Sequence, residues 1–301
     1  MEDVEMDKEM GLNKMFSILR HRFSQNTLKK LENYPHACIK GEALSLHAYG
    51  KLGCRTSSDI DILIDKKEIV ACKKILFSEG FQYKGLEREL EVTAISSSHQ
   101  TPPFIKKTVY GNIVIDLNFD VFWGEYTGAR VDISEFISDA YEVDIYGCSV
   151  KILPPMKSLI QVALHHYNHM NAIYHIAGNN AFGNYMFRDI YYLWKNNVRQ
   201  IKIRNLYSLA EQYGAVPYIF YVLKHTNEIY KDKYLEKWVE AFKTEEGINL
   251  LHLYGLAENE RREWKVDFLT RISTSNTYDL IKSELTDSDL SKLERARNIF
   301  Q

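Results

Sequence analysis

The sequence predicts an α+β protein in two parts: a mixed β-sheet core flanked by helices over residues 1–153, then an all-α domain over residues 154–301. Three observations carry that expectation. Residues 36–65, "HACIKGEALSLHAYGKLGCRTSSDIDILID", read as strand, helix, loop, strand. In "TVYGNIVIDLNFDVFW", Ile113, Ile115, Leu117 and Phe119 alternate with Asn112, Val114, Asp116, Asn118 and Asp120, the period of a strand with one face in a core. At "LPPMK", residues 153–157, strand patterns stop and helical ones begin.

Residues 6–34 carry Met, Leu, Lys, Arg and Glu without an internal proline, which predicts one or two lead-in helices ending before Tyr34-Pro35. "HACIKG" is a short buried strand closed by glycine, "EALSLHAY" a helix, and "DIDILID" a second, β-branched strand. In "KKEIVACKKILFSEG", Ile69, Cys72 and Leu76 form a helical stripe, flanked by Val70 and Phe77, that stops at Gly80. Residues 81–105 read as a pair of extended stretches, and "EVDIYGCSVKIL" as a hairpin. Helices are expected over 155–170, 181–197, 201–212, 214–230 and 232–242, with a capped terminal helix in "TDSDLSKLERARNIF".

Composition narrows the function without naming it. A hydrophobic fraction of 45% and a charged fraction of 26% over 301 residues describe an ordinary globular protein able to bury real cores. The formal net charge of −2 gives no global basic field, which disfavours a protein that grips long nucleic acid through phosphates. Cys38, Cys54, Cys72 and Cys148 show no CxxC spacing, so neither a zinc site nor a disulfide framework is readable. An acidic N-terminus without an apolar signal core, and no run near the roughly 18 apolar residues of a membrane span, point to a cytoplasmic protein without a membrane partner.

Chemistry concentrates at Asp59 and Asp61. Side chains i and i+2 of a strand share a face, so the pair presents two carboxylates side by side while Ile60 and Ile62 turn into the core. Ionised carboxylates that close repel unless a cation lies between them, and Mg²⁺, which prefers oxygen ligands, meets that need. A third carboxylate on a neighbouring strand would complete a site for two metal ions, with Asp116 the first candidate and Asp120 the second. Lys40-Gly41 closes the first strand before a helix, where glycine lets backbone amides approach a phosphate.

The ordered set "IKG", a helix, "RTSSDIDILI" and "IVIDLNF" resembles the nucleotidyltransferase superfamily typified by DNA polymerase β. More narrowly it resembles a bacterial branch of uncharacterised nucleotidyltransferases with a KG…R…DIDLLV signature, whose later helices are matched by "ALHHYNH" and "FRDIYYL"; the resemblance covers roughly residues 36–197. It implies a minimal nucleotidyltransferase fold that moves an NMP from an NTP, ATP among the candidates, onto the hydroxyl of a small-molecule acceptor with release of pyrophosphate. Two Mg²⁺ ions would be held by Asp59, Asp61 and Asp116, and Lys40, Gly41, Arg55 and Ser58 would contact the nucleotide. One departure stands out: Glu42 follows Gly41 where the superfamily has Ser or Gly, which keeps open a catalytically silent binding member of the fold. A toxin-like enzyme acting on tRNA or protein is the other alternative.

Four residues are candidates for the acceptor side. His165 and His169 lie four apart on the helix after residue 155, roughly opposite its apolar stripe of Met156, Leu159, Ile160, Ala163, Tyr167 and Met170. "HHYNH" lacks the glutamate of H-E-x-x-H, so a solvated face or a cleft-lining face is preferred to zinc. His165 is the preferred member. Asp189, beside Arg188, is either part of a surface pair or a pocket residue, and His99 precedes the third-carboxylate strand in a loop. Tyr185, Tyr191, Tyr192 and Trp194 follow helical spacing and read as core.

Overall fold

The structure, a computed structural model, describes residues 2–55, 57–83, 92, 95, 96 and 98–300. The chain divides into two compact units, Met1–Val121 with Val131–Ser158, and Phe122–Arg130 with Leu159–Gln301.

In the first unit the proline-free N-terminal stretch forms a single helix, α1 (Glu2–Leu31), which ends before Tyr34-Pro35 as the proline requires. The sheet is built from β1 (His36–Ile39), β2 (Ile60–Ile64), β3 (Gln82–Tyr83), β4 (Phe104–Thr108), β5 (Gly111–Asn118), β6 (Tyr141–Ile145) and β7 (Cys148–Ile152). Their spatial order is β3-β4-β5-β2-β1-β7-β6. Parallel pairs β2–β5 and β1–β7 beside antiparallel β1–β2 and β4–β5 make it mixed. The expected hairpin at 142–153 is β6–β7. Of the extended pair expected over 81–105, residues 84–91, 93, 94 and 97 lie outside the described residues, and β3 and the start of β4 flank them.

The alternation in β5 is realised: Ile113, Ile115, Leu117 and Phe119 enter one hydrophobic core with Ile60, Ile62 and Ile64 of β2. Each such buried aliphatic contributes about 1.5–3 kcal/mol. Helix α2 (Gly41–Tyr49) joins β1 to β2, and α3 (Ile69–Ser78) buries Ile69, Cys72 and Leu76 while Val70 and Phe77 stay exposed. Asp65, the third aspartate of "DIDILID", is structural. Its side chain accepts from the Lys67 amide at 2.9 Å and from Ser134 Oγ at 2.5 Å, and the Ser134 hydrogen bond is the largest cause of its lowered pKa.

The second unit is helical, with principal helices at Asn184–Asn196, Ile203–Gln212, Val216–Tyr230, Lys233–Phe242 and Asp287–Phe300. Side-chain caps start several of them: Asp232 accepts from the Tyr234 amide, Thr244 from Gly247 and Asp267 from Thr270. Trp123, Tyr167 and Tyr218 pack with ring centroids 4.7–5.1 Å apart. Among the helical aromatics Tyr191 and Trp194 are core as expected, but Tyr185 is 40% exposed. Among the described residues no helix is long and apolar enough to cross a membrane.

Candidate active site

β1 ends at Ile39, the register partner of Asp61, and the chain turns into α2 through two residues at positive φ, Lys40 at +55° and Gly41 at +41°. Gly41 adopts this freely. Lys40, with ψ −149°, is a non-glycine residue in a sparsely populated state that costs about 1–3 kcal/mol and persists only where its surroundings hold it. What holds it is on the next strand: Lys40 Nζ lies 2.5 Å from Asp61 Oδ1, both side chains almost wholly buried. Asn118 Nδ2 donates to the same oxygen at 3.2 Å.

The parallel β2–β5 register sets Asp116 opposite Asp61, so the two carboxylates share a face of the sheet. Asp120 falls beyond the last residue of β5. Asp59 sits just before β2, half-buried, and accepts from Ser57 Oγ at 3.0 Å and from the exposed Ser58 at 3.4 Å. A cleft here is lined by Ser17, Lys40, Gly41, Ser57, Asp59 and Asp61, among others.

The two strand aspartates are treated differently. Burial raises the Asp61 pKa, the Lys40 ammonium opposes this, the Asp59 charge adds to it, and the hydrogen bonds from Lys40 and Asn118 oppose it again; the net shift is upward. Asp116 is pushed well above the carboxylate range, by burial first and then by Asp61 and Asp59, with only Lys40 opposing. Its Oδ1 is shut off from solvent and has no hydrogen-bond partner among the described residues. A buried carboxylate oxygen left without a donor lacks a cation or a proton.

Among the described residues no three or more His, Cys, Asp or Glu side chains stand together at metal-holding spacing. An ammonium occupies Asp61 instead. The donor chemistry still suits Mg²⁺: hard carboxylate oxygens in register on adjacent strands, one of them orphaned on Asp116. The Cys38 thiol beside them is pushed up to about 12 by burial, then by Asp61 and Cys148, which keeps it protonated.

Four residues around the site have no place in the sequence reading as contributors. Asn118 was legible in principle, since it lies two residues after Asp116 and therefore on its face. Ser57 is a closer donor to Asp59 than Ser58 is. Arg20 comes from α1, far away in sequence. Burial lowers its pKa, opposed first by the charge of Asp59 and then by Glu42, and its Nε has no hydrogen-bond partner among the described residues. Glu42 accepts from the Gly53 amide at 2.8 Å and from the Tyr146 hydroxyl at 3.2 Å, fastening the loop that leads to the aspartates.

The remaining candidates are placed as follows. Arg55 is half-buried in the loop before Asp59. The Gln100–Asn118 bridge and the hydrogen bond from the Phe119 amide to the His99 carbonyl set His99 opposite Phe119 and Gln100 opposite Asn118. The pairing is antiparallel, and its register puts Gln100 on the face of Asp116.

The helix Pro155–Asn171, which belongs to the second unit from Leu159 on, is buried nearly all round, so its histidines do not form a solvated face. His165 and His169 are half-buried with ring centroids 4.4 Å apart, and His169 stacks on His175 at 3.8 Å. Stacked rings do not converge on a common metal. Asp189 is fully buried while Arg188 is exposed, so the two are not a surface pair.

Comparison with known proteins adds a family. The profile described as uncharacterised nucleotidyltransferase matches residues 19–254. Among solved structures, an antigenic nucleotidyltransferase-like protein from Paracoccidioides brasiliensis is similar at 16% identity, covering 74% of this chain and 92% of that one, with a TM-score of 0.39. The antibiotic-resistance factor ANT(2'')-Ia is similar at 11% identity, covering 66% and 97%, with a TM-score of 0.36. No curated protein matches.

Proposed function

The chain belongs to the uncharacterised nucleotidyltransferase family, and on that premise we propose that it moves an NMP from an NTP onto the hydroxyl of a small-molecule acceptor, releasing pyrophosphate. The observation that carries this reading is the register of Asp116 against Asp61 on parallel strands, with an orphaned oxygen on Asp116 and Asp59 at the strand mouth. Asp59, Asp61 and Asp116 would hold Mg²⁺, which when bound supplies charge neutralisation at the triphosphate and a more acidic acceptor hydroxyl.

The rest falls to the chain. The acceptor oxygen forms a bond to the α-phosphorus as the bond to the bridging oxygen of the β-phosphate breaks, and pyrophosphate carries that electron pair away. Asp116 takes the hydroxyl proton as the general base. Asn118 fixes the Asp61 carboxylate, and Ser57 fixes Asp59. The Lys40-Gly41 turn at the N-terminus of α2 presents backbone and charge to a phosphate, with Arg55 and Ser58 as further phosphate contacts. Glu42, bound to Gly53 and Tyr146, is engaged within the protein, which supports a structural role for it over a block to nucleotide.

Half-buried His165 and His169 stay as candidate acceptor contacts, whereas Asp189, fully buried, is out of reach of a substrate. The test is incubation with each NTP labelled at the α-phosphate, with Mg²⁺ and cell extract. Label should move to a heat-stable, RNase-resistant product. Label in tRNA or protein would replace the acceptor class, and absence of transfer with every NTP would overturn the reading.

A further inference from the structure

We propose that Lys40 is a resident counter-cation of the carboxylate site: its ammonium holds Asp61 while metal is absent and must leave that oxygen before a divalent cation can bind there. The inference rests on the nucleotidyl-transfer reading and goes beyond it, because it gives Lys40 two successive partners, Asp61 and then the triphosphate.

Three features point the same way. Lys40 Nζ stands 2.5 Å from Asp61 Oδ1 in a setting from which water is almost excluded, so the ammonium is already where a cation is demanded. The lysine reaches that oxygen from a backbone conformation, φ +55° and ψ −149°, that a lysine rarely adopts. Strain of this kind is kept only where neighbouring interactions over-determine it. Finally, the neutralisation is lopsided: Asp61 has both Lys40 and Asn118, whereas the facing Asp116 keeps an oxygen with no donor among the described residues. Lys40 pairs with Asp61 and Arg20 lies in the field of Asp59, but neither donates to the orphaned Asp116 oxygen, a shortfall that a divalent ion would supply.

A flexible four-carbon stem lets the ammonium move without disturbing the strands. Departure from Asp61 also frees it for the phosphates that arrive beside the Lys40-Gly41 turn. The arrangement makes metal binding weak in the absence of nucleotide and couples the two, since each gives the other a reason for Lys40 to move.

The test is calorimetric titration of Mn²⁺ into nucleotide-free, EDTA-treated protein, comparing wild type with Lys40→Met and Lys40→Arg. Lys40→Met should bind Mn²⁺ about tenfold more tightly than wild type, the effect of losing one competing charge interaction of about 1.4 kcal/mol. Lys40→Arg should stay near wild type. In Lys40→Met the affinity for an α,β-methylene NTP analogue should fall, which a lysine with a merely structural role would not produce together with tighter metal.

Equal Mn²⁺ affinity in wild type and Lys40→Met would overturn the exchange while leaving the metal site standing. Absence of Mn²⁺ binding in both would overturn the metal site and the exchange with it. Should circular dichroism show Lys40→Met unfolded, a wild-type crystal soaked with Mn²⁺ reads the same point. Metal on Asp61 with Nζ moved away supports the exchange, and metal with Nζ still in place refutes it.

Discussion

Asp61 and Asp116 are the same residue type, in register on adjacent parallel strands, yet the protein satisfies one and starves the other. Asp61 receives an ammonium and an amide on a single oxygen; Asp116 has an oxygen sealed from solvent with no donor among the described residues. The difference teaches that a charged pair can be structurally necessary on one side and a cost on the other. Substitution should separate the two roles.

The largest effect belongs to the satisfied member. Asp61→Asn removes the partner of a buried ammonium, and chemical denaturation of metal-free protein should show a loss of about 3–5 kcal/mol. Transfer should vanish as well, but a damaged fold would account for that, so this variant is a poor test of chemistry. Glu42 extends the comparison as a buried carboxylate with two internal donors. Glu42→Ala leaves the Gly53 amide without its acceptor and should cost about 1–3 kcal/mol in the same measurement. Glu42→Gln keeps an acceptor and should not tighten nucleotide binding; tighter binding would mean that Glu42 repels phosphate after all.

Asp116→Asn should have the opposite sign. It removes a buried like charge from beside Asp61 and Asp59, and metal-free stability should rise by about 0.5–2 kcal/mol, the usual exchange of function for stability at a charged site. The smallest expected effect is on pH dependence. Both strand aspartates have raised pKa values in the folded state, so between about pH 4, the unfolded value, and those raised values the native protein holds protons that the unfolded chain has lost. Their favourable share is complete below pH 4 and is lost as pH rises, so melting temperature in EDTA should fall across that window. Asp116→Asn should flatten the slope, and an unchanged slope would show that Asp116 titrates normally.

Much of the fold was legible because the signals were local. The period-two alternation of β5, the stripe of α3 and the break at Pro154-Pro155 each sit within a short window, and each element formed there. The aspartates themselves were legible from D-x-D spacing. Their neutralisation was not, because it depends on strand order: Lys40 meets Asp61 through the β1–β2 pairing, and Asn118 through β2–β5. Arg20 was hidden for the same reason, since a helix before the sheet gives no local hint that it lies in the field of Asp59. Of the two alternatives for His165 and His169, the solvated face fails because period 3.6 cannot distinguish a polar stripe in water from one on a helix buried nearly all round. The excursion Phe122–Arg130, which joins the helical unit, has no sequence signature that separates it from the strand before it.

The central claim is that Asp116 completes the transfer site with Asp59 and Asp61, and the most direct measurement is α-phosphate label transfer by wild type and Asp116→Asn side by side, with melting curves on the same samples. A loss of transfer of about 10²–10³-fold in a variant that melts no lower than wild type is the predicted result. Transfer at the wild-type rate by well-folded Asp116→Asn would contradict it.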